Sequence, residues 1–397
     1  REISTTMAYV RALNILLKDE HIGKQIVPII ADEARTFGME GLFRQIGIYN
    51  PGGQNYTPED RSVVSYYKED VGGQVLQEGI NELGAMSSWV AAATSYSTND
   101  LPMIPFYIYY SMFGFQRVGD MAWLAGDQQA RGFLLGATAG RTTLNGEGLQ
   151  HEDGHSHILA GTVPNCISYD PTYAFELAVI MQDGIRRMYG ADQENIYYYI
   201  TVMNENYHHP AMPKGAEEGI RKGIYKLESL NGDRGKVQLL GSGTILNEVR
   251  KAADILSKDY GVASDVYSVT SFNELARDGQ DAERFNMLNP DAKEKTPYIA
   301  TVMNNAPAIA ATDYMKSYAD QVRAFVPAVS YKVLGTDGFG RSDSRENLRR
   351  HFEVNAHYIV VAALSELVKQ GELKKTVVSD AIKKFGIDTT KVNPLYA

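Results

Sequence analysis

The chain has 397 residues, of which 44% are hydrophobic and 22% are charged, values typical of a globular protein rather than a disordered one. Its formal charge of −9 argues against a nucleic-acid-binding protein, since such proteins carry a basic excess, and no apolar run approaches the ~20 residues that span a bilayer. The single cysteine, Cys166, excludes an internal disulfide and favours a reducing, cytoplasmic compartment.

The charge changes along the chain. Residues 1–211 hold 13 basic and 24 acidic residues, whereas residues 212–397 hold 26 and 24. We therefore predict a domain over residues 1–211 and a second over residues 212–397, which agrees with ~100–200 residues per domain. The chain begins without Met and without an apolar leader, so we expect no signal peptide and a fragment of a longer protein.

Helices and strands alternate in the first predicted domain. Ser4 or Thr5 caps a predicted helix, and a buried strand follows over residues 26–30, although Pro28 is unusual in a strand. The later predictions are a helix over 83–96, a strand over 103–109, a helix with Pro171 in its first turn and Met181 within it, and a strand over 196–203. This alternation predicts an α/β fold with a mainly parallel sheet covered by helices.

The second half opens with a predicted connection over residues 204–235. A strand over 236–240, a helix over 244–259 and a strand over 263–269 then form a βαβ unit. Its Gly241-Ser242-Gly243 predicts a tight turn rather than a phosphate site, because the third glycine of a dinucleotide motif is missing. Further predictions are a strand over 298–303 and helices over 355–370 and 374–385.

Acidic residues stand at two predicted element ends. Asp32 and Glu33 follow the strand over 26–30, where ligands bind in open α/β sheets, but they also suit the first turn of a helix. Glu82 begins a helix of small residues. Burial there would raise its pKa above ~4.3 and suit it to share a proton with a ligand nitrogen, although taken alone it is an ordinary first-turn acid.

Aromatic residues run through residues 105–117 and include Tyr110 and Phe113. Such a stripe is usually part of a core. Its functional interpretation is a flat wall on which a heterocycle stacks.

Three histidines, His151, His155 and His157, lie close to Glu152 and Asp153. Imidazole and carboxylate ligands suit zinc or iron, so a metal site is one interpretation. A loop that offers histidines to an anionic substrate as proton donors fits equally well.

Four long segments carry a resemblance to a known family: residues 32–44, 106–117, 148–157 and 335–343. They closely resemble the homodimeric bacterial pyruvate dehydrogenases, the decarboxylating component of the pyruvate dehydrogenase complex. The resemblance runs nearly end to end and implies a transketolase-like fold with a pyrimidine-binding domain and a C-terminal domain. The family's diphosphate-binding domain, with its magnesium ligands, would precede Arg1.

The resemblance implies a role for individual residues. Glu82 would hydrogen-bond the ring nitrogen N1′ of the aminopyrimidine of thiamine diphosphate, and Phe113 would stack on that ring. Asp32, Glu33 and Tyr110 would lie near it. His151 resembles the histidine that meets the substrate, whereas a wider pattern of the superfamily favours His157.

The implied reaction is decarboxylation of pyruvate, followed by transfer of the acetyl group to the lipoyl group of dihydrolipoyl acetyltransferase. The cofactor would lie between two subunits of a homodimer, and no nucleic acid or membrane is expected as a partner. Two alternatives remain: a metal-dependent hydrolase that uses His151, His155 and His157, and a non-catalytic subunit-interaction module.

Overall fold

The computed structural model describes residues 2–31, 34–59 and 67–397. Two compact units divide the chain. The first comprises the described residues up to Ala139 together with Leu159–Ser168 and Ile180–His209, and the second comprises Gly140–Ile158, Tyr169–Val179 and Pro210–Ala397.

A six-stranded sheet and a two-stranded sheet contain the first eight strands. These strands are β1 (Ile26–Ile30), β2 (Ile48–Tyr49), β3 (Glu69–Asp70), β4 (Leu76–Gln77), β5 (Ile104–Tyr109), β6 (Phe133–Gly136), β7 (Cys166–Tyr169) and β8 (Tyr197–Thr201). The larger sheet has the order β4-β1-β5-β6-β8-β7, and β2 pairs with β3. The helices of this part are α1 (Thr5–Leu16), α2 (Gly41–Ile46), α3 (Glu82–Thr98), α4 (Phe115–Asp127), α5 (Ser156–Gly161) and α6 (Ala174–Tyr189).

Local sequence accounts for these elements. The Ser4 side chain accepts a hydrogen bond from the Met7 amide at 3.1 Å and so begins α1 as predicted. All five residues of β1 are buried, and Pro28 is tolerated because β4 pairs only with Ile29 and Ile30. Trp89 of α3 is fully buried and donates its indole N–H to the Phe133 carbonyl at 3.0 Å, which fixes the helix on the sheet.

The later part of the chain forms a five-stranded sheet of order β13-β12-β10-β11-β9. Its strands are β9 (Ile224–Leu230), β10 (Lys236–Gly241), β11 (Ala263–Val269), β12 (Ala308–Ala311) and β13 (Tyr331–Leu334). Its helices are α7 (Glu217–Lys222), α8 (Ile245–Tyr260), α9 (Phe272–Leu288), α10 (Tyr298–Val302), α11 (Lys316–Asp320), α12 (Arg345–His351), α13 (Ala356–Lys369) and α14 (Lys375–Lys384). The predicted βαβ unit is confirmed, since β10 and β11 pair in parallel through α8. Gly243 has a φ of +52°, which suits glycine, in the predicted turn.

Two predictions of secondary structure are wrong. Residues 298–302 form α10 rather than a strand. Pro297 takes the N-cap position, and a run this short gives no periodicity that separates a helix from a strand. The predicted connection over 204–235 contains α7 and β9. β9 pairs antiparallel to β11 at the sheet edge. It was not predicted because several of its residues are polar and half-exposed, and so lack the pattern of a buried strand.

The predicted fold class is confirmed, because the strands of both main sheets pair in parallel at β4-β1-β5-β6-β8 and β13-β12-β10-β11, and β9 pairs antiparallel. Across the described residues, no helix combines the length and apolar character that a bilayer crossing needs.

Candidate functional site

Three parallel strands end side by side in the first unit. Ile30 of β1 is in register with Ile108 of β5 and with Gln77 of β4, so residues that follow these strands meet at one edge of the sheet. Tyr110 follows β5, and α3 starts at Glu82 shortly after β4. Asp32 and Glu33 were predicted at the same edge, but both lie outside the described residues.

Glu82 is the first residue of α3. The side chain of Asn81 accepts a hydrogen bond from the Gly84 amide at 3.0 Å and so begins the helix. The Glu82 side chain is 15% exposed, and its Oε1 accepts a hydrogen bond from Nη1 of Arg117 at 2.9 Å. A carboxylate accepts about four hydrogen bonds, so this ion pair leaves acceptor capacity for a further donor.

The predicted aromatic stripe divides into a buried part and an open part. Tyr107 and Tyr109 are buried in the core, whereas Tyr110 and Phe113 are half-buried. The Tyr110 and Phe113 rings lie edge to face, with centroids 6.0 Å apart. The core interpretation therefore holds for β5, and the half-buried rings after it offer a surface to a flat ligand.

Arg117 connects Glu82 to the aromatic rings. Its guanidinium carbon lies 3.9 Å from the centroid of the Phe113 ring while its Nη1 donates to Glu82. This role of Arg117 was not predicted from the sequence, because 35 residues separate it from Glu82 and no local pattern joins them. Glu82, Phe113 and Tyr110 are thus brought together as predicted, with Arg117 added.

The hydroxyl of Tyr107 is close enough to Glu82 to feel its charge. It is buried and has no hydrogen-bond partner among the described residues. Burial raises the pKa of Tyr107, and the negative charges of Glu82 and Glu78 raise it further. The Glu82 carboxylate lies close to half-buried rings, one of which already contacts the planar guanidinium cation of Arg117. An aminopyrimidine is also planar and carries a basic nitrogen, so it fits these groups as a ligand.

The histidine loop, residues Gly148–His157, lies in the second unit. Its last two residues begin α5, which continues to Gly161. Leu149–His151 form a turn of 3-10 helix. The Asp153 Oδ1 atom accepts hydrogen bonds from the amides of His155 and Ser156, each at 2.9 Å, and so begins α5.

The three predicted histidines differ in burial. His151 and His155 are half-buried, whereas His157 is 0% exposed. The His157 ring stacks on Tyr318 and meets Tyr314 edge-on, with both centroid distances 4.8 Å. Burial lowers the pKa of His157 to about 3, so this imidazole is neutral at physiological pH.

Glu152 is also buried. Its Oε2 accepts a hydrogen bond from the Arg341 amide at 2.7 Å, and its Oε1 has no partner among the described residues. Burial raises the pKa of Glu152 to about 8. The carboxyl therefore carries a proton in much of the protein at pH 7, which reduces the cost of its burial.

The alternative of a metal-dependent hydrolase finds no support. Across residues 2–31, 34–59 and 67–397, no group of three or more His, Cys, Asp and Glu side chains could hold a metal ion.

Comparison with known proteins identifies the family of the chain. Residues 1–210, more than half of the chain, match the family model of the pyruvate dehydrogenase E1 component middle domain. The chain belongs to the pyruvate dehydrogenase E1 component family. Residues 223–355 match the transketolase-like C-terminal domain. The predicted resemblance is therefore confirmed.

Relatives in this family cover the whole chain. Pyruvate dehydrogenase E1 components of Escherichia coli (strain K12) and Haemophilus influenzae are 75% and 69% identical over 100% of it. That of Pseudomonas aeruginosa is 62% identical over the same share. The chain covers only 45% of each relative, so it spans about half the length of the family members it matches.

Solved structures show the same fold. Transketolase from Leishmania mexicana has a TM-score of 0.68 at 16% identity, over 93% of this chain and 46% of that one. A split-gene transketolase described as an inactive beta4 tetramer has a TM-score of 0.60 at 16% identity, over 93% of this chain and 99% of that one. At this identity the likeness shows the fold alone, and it confirms the predicted transketolase-like architecture.

Proposed function

We propose that this chain supplies the pyrimidine-binding and C-terminal domains of a thiamine-diphosphate-dependent pyruvate dehydrogenase. The observation that carries the proposal is the cluster of Glu82, Arg117 and Phe113 at the carboxyl edge of a parallel sheet, in a chain of the E1 component family. We assign the two domains to residues 1–211 and 212–397, a division supported by family matches over 1–210 and 223–355.

When bound, thiamine diphosphate supplies the electron sink for decarboxylation of a 2-oxo acid. Glu82 accepts or returns the proton at ring nitrogen N1′, and Phe113 and Tyr110 orient the aminopyrimidine by contact with its plane. Arg117 keeps the Glu82 carboxylate facing these rings through its 2.9 Å hydrogen bond. Asp32 and Glu33 are assigned to the same ligand on the sequence resemblance alone.

His151 is assigned to the substrate. Its half-buried position leaves the imidazole access to a ligand, and a proton donated or held there would contribute roughly 10²–10⁴-fold to the rate. His157 was also predicted to be catalytic; because its imidazole is fully buried between two tyrosines, we assign the substrate contact to His151.

The substrate and partners follow from the family. We propose pyruvate as the 2-oxo acid, the lipoyl domain of dihydrolipoyl acetyltransferase as the acetyl acceptor, a homodimer as the assembly and the cytoplasm as the compartment. The diphosphate and its magnesium ion would be held by residues outside this chain, consistent with its 45% coverage of the relatives.

Turnover of pyruvate by the full-length enzyme that contains this chain tests the proposal. We expect thiamine diphosphate and magnesium to be required, and Glu82→Gln to lower kcat by at least ~10²-fold, the contribution of a positioned acid or base. Glu217→Gln, which removes a carboxylate from the first turn of α7, is the matched control and should retain activity. Turnover that needs no thiamine diphosphate, or full activity of Glu82→Gln, would contradict the proposal, and a wild-type enzyme without turnover would favour the interaction module.

A further inference from the structure

Arg141 is a buried arginine whose side chain donates its hydrogen bonds to backbone carbonyls. Arg141 is only 4% exposed, and its side-chain Nε donates a hydrogen bond to the Glu152 carbonyl at 3.3 Å. Its Nη1 donates to the carbonyls of Thr336 and Gly338. One guanidinium therefore joins the histidine loop to residues Gly335–Arg341, which we call the glycine loop.

The charge of Arg141 is balanced without a direct ion pair. In the described part of the chain, its guanidinium donates to the carbonyl oxygens of Glu152, Thr336 and Gly338 rather than to a carboxylate. Burial lowers the pKa of Arg141. Nearby negative charges oppose this shift of the pKa, and those of Asp153 and Asp313 contribute most. A cation placed this way is costly unless the loops that supply its acceptors stay in place.

Further contacts hold the same two loops together. The Arg341 amide donates to Oε2 of Glu152 at 2.7 Å. A Cβ atom added to Gly340 would lie 2.8 Å from Cβ of Glu152, and one added to Gly154 would overlap the Arg141 guanidinium. The two loops thus meet at Gly340, and Arg141 meets the histidine loop at Gly154, in both cases at distances that leave no room for a side chain.

We infer that Arg141 is a positioning residue for His151. The acceptor in the histidine loop is the carbonyl of Glu152, the residue directly after His151, so Arg141 fixes the chain path at the imidazole. Arginine suits this role because its planar fork reaches several acceptors at fixed angles, whereas the lysine ammonium is a single point donor. The inference deepens the proposed function, since it relies on the role of His151 there.

The test uses the full-length enzyme with Arg141→Met, Arg141→Lys and a control, Arg250→Met. Arg250 belongs to the same unit but pairs with Glu228. Amide hydrogen exchange, measured without thiamine diphosphate, should be at least ~10-fold faster in residues 148–157 of Arg141→Met and unchanged in β1 and β5. Arg141→Lys should exchange at an intermediate rate, and Arg250→Met should match the wild type in this loop.

Kinetics of the same variants separate positioning from a general loss of structure. A misplaced catalytic group costs on the order of 10²-fold, so kcat for pyruvate should fall by that factor in Arg141→Met, while the affinity for thiamine diphosphate stays at the wild-type value. Arg141→Lys should recover part of kcat. Loss of both kcat and cofactor affinity in proportion would point to general damage and overturn the inference.

Other outcomes decide the question equally. Unchanged exchange in residues 148–157, or full kcat in Arg141→Met, would overturn the inference. If Arg141→Met does not fold, the same readouts on Arg141→Lys and Gly340→Ala decide, and wild-type values in both would overturn it. Failure of the proposed function is distinguishable, because a wild-type enzyme without pyruvate turnover still reports the loop contact through hydrogen exchange.

Discussion

The cluster around Glu82 and the histidine loop both carry predicted site residues, yet they are built in opposite ways. Glu82, Tyr110 and Phe113 are half-buried and held by one ion pair and ring contacts. In the histidine loop, Glu152 and His157 are buried and held by several hydrogen bonds and ring contacts. The two regions therefore differ in the exposure of their predicted site residues, and our proposal assigns ligand contact to the half-buried ones.

The largest expected effect concerns His151. Because its imidazole is half-buried and contacts the substrate in our account, His151→Ala should lower kcat/KM for pyruvate by roughly 10²–10⁴-fold with no loss of stability. Steady-state kinetics and thermal unfolding of the full-length enzyme measure this. His208→Ala, a change in a half-exposed segment outside the histidine loop, is the control. Retained activity in His151→Ala would remove this histidine from the reaction.

His157 should behave in the reverse manner. Its ring packs between Tyr314 and Tyr318, so His157→Ala leaves a cavity and should lower the free energy of unfolding by about 3 kcal/mol. Denaturant titration measures the change, and His155→Ala is the matched control, with a loss of no more than about 1 kcal/mol. Equal losses of stability in His157→Ala and His155→Ala would contradict the structural role given to the buried His157.

These two histidines also show what the sequence could not predict. The spacing of His151, His155 and His157 is local, but the tyrosines that bury His157 lie more than 150 residues later in the chain. For the same reason the pattern did not reveal that Arg117 joins Glu82 to Phe113.

Elements with strong local signals were predicted correctly. Ser4 caps α1, and the strongly apolar β10 and the amphipathic α8 follow the expected pattern. The errors fell on a short apolar run at α10 and on the polar edge strand β9, where tertiary context decides between helix, strand and loop.

A smaller effect is expected at the aromatic wall. Phe113→Ala removes the ring that Arg117 covers, and loss of one aromatic contact of about 1 kcal/mol should weaken thiamine diphosphate binding by ~5–10-fold. Titration calorimetry of the full-length enzyme measures the affinity. Phe339→Ala, at a residue 80% exposed, is the control and should bind as the wild type does. Equal affinity in Phe113→Ala and the wild type would contradict the assignment of the wall.

A further effect is a pH dependence of stability at Glu152. Its pKa is raised from the ordinary value of 4.5 to about 8 by burial, so the folded protein keeps a proton that the unfolded chain releases. The stability contribution of this proton is complete below pH 4.5 and is lost as the pH rises to about 8. Between pH 5 and pH 8, the free energy of unfolding of the wild type should therefore fall relative to that of Glu152→Gln. The same pH dependence of the free energy of unfolding in both proteins would contradict the burial of Glu152.

The most direct test of the account concerns proton transfer governed by Glu82. In full-length enzyme saturated with thiamine diphosphate and magnesium, quenched-flow NMR measures how fast the C2 proton of the thiazolium ring exchanges with deuterium. We predict that Glu82→Gln slows this exchange by at least ~10²-fold while the affinity for the cofactor changes little. Exchange at the wild-type rate in Glu82→Gln would contradict the central claim that the Glu82 carboxyl group transfers the proton at ring nitrogen N1′ of the aminopyrimidine.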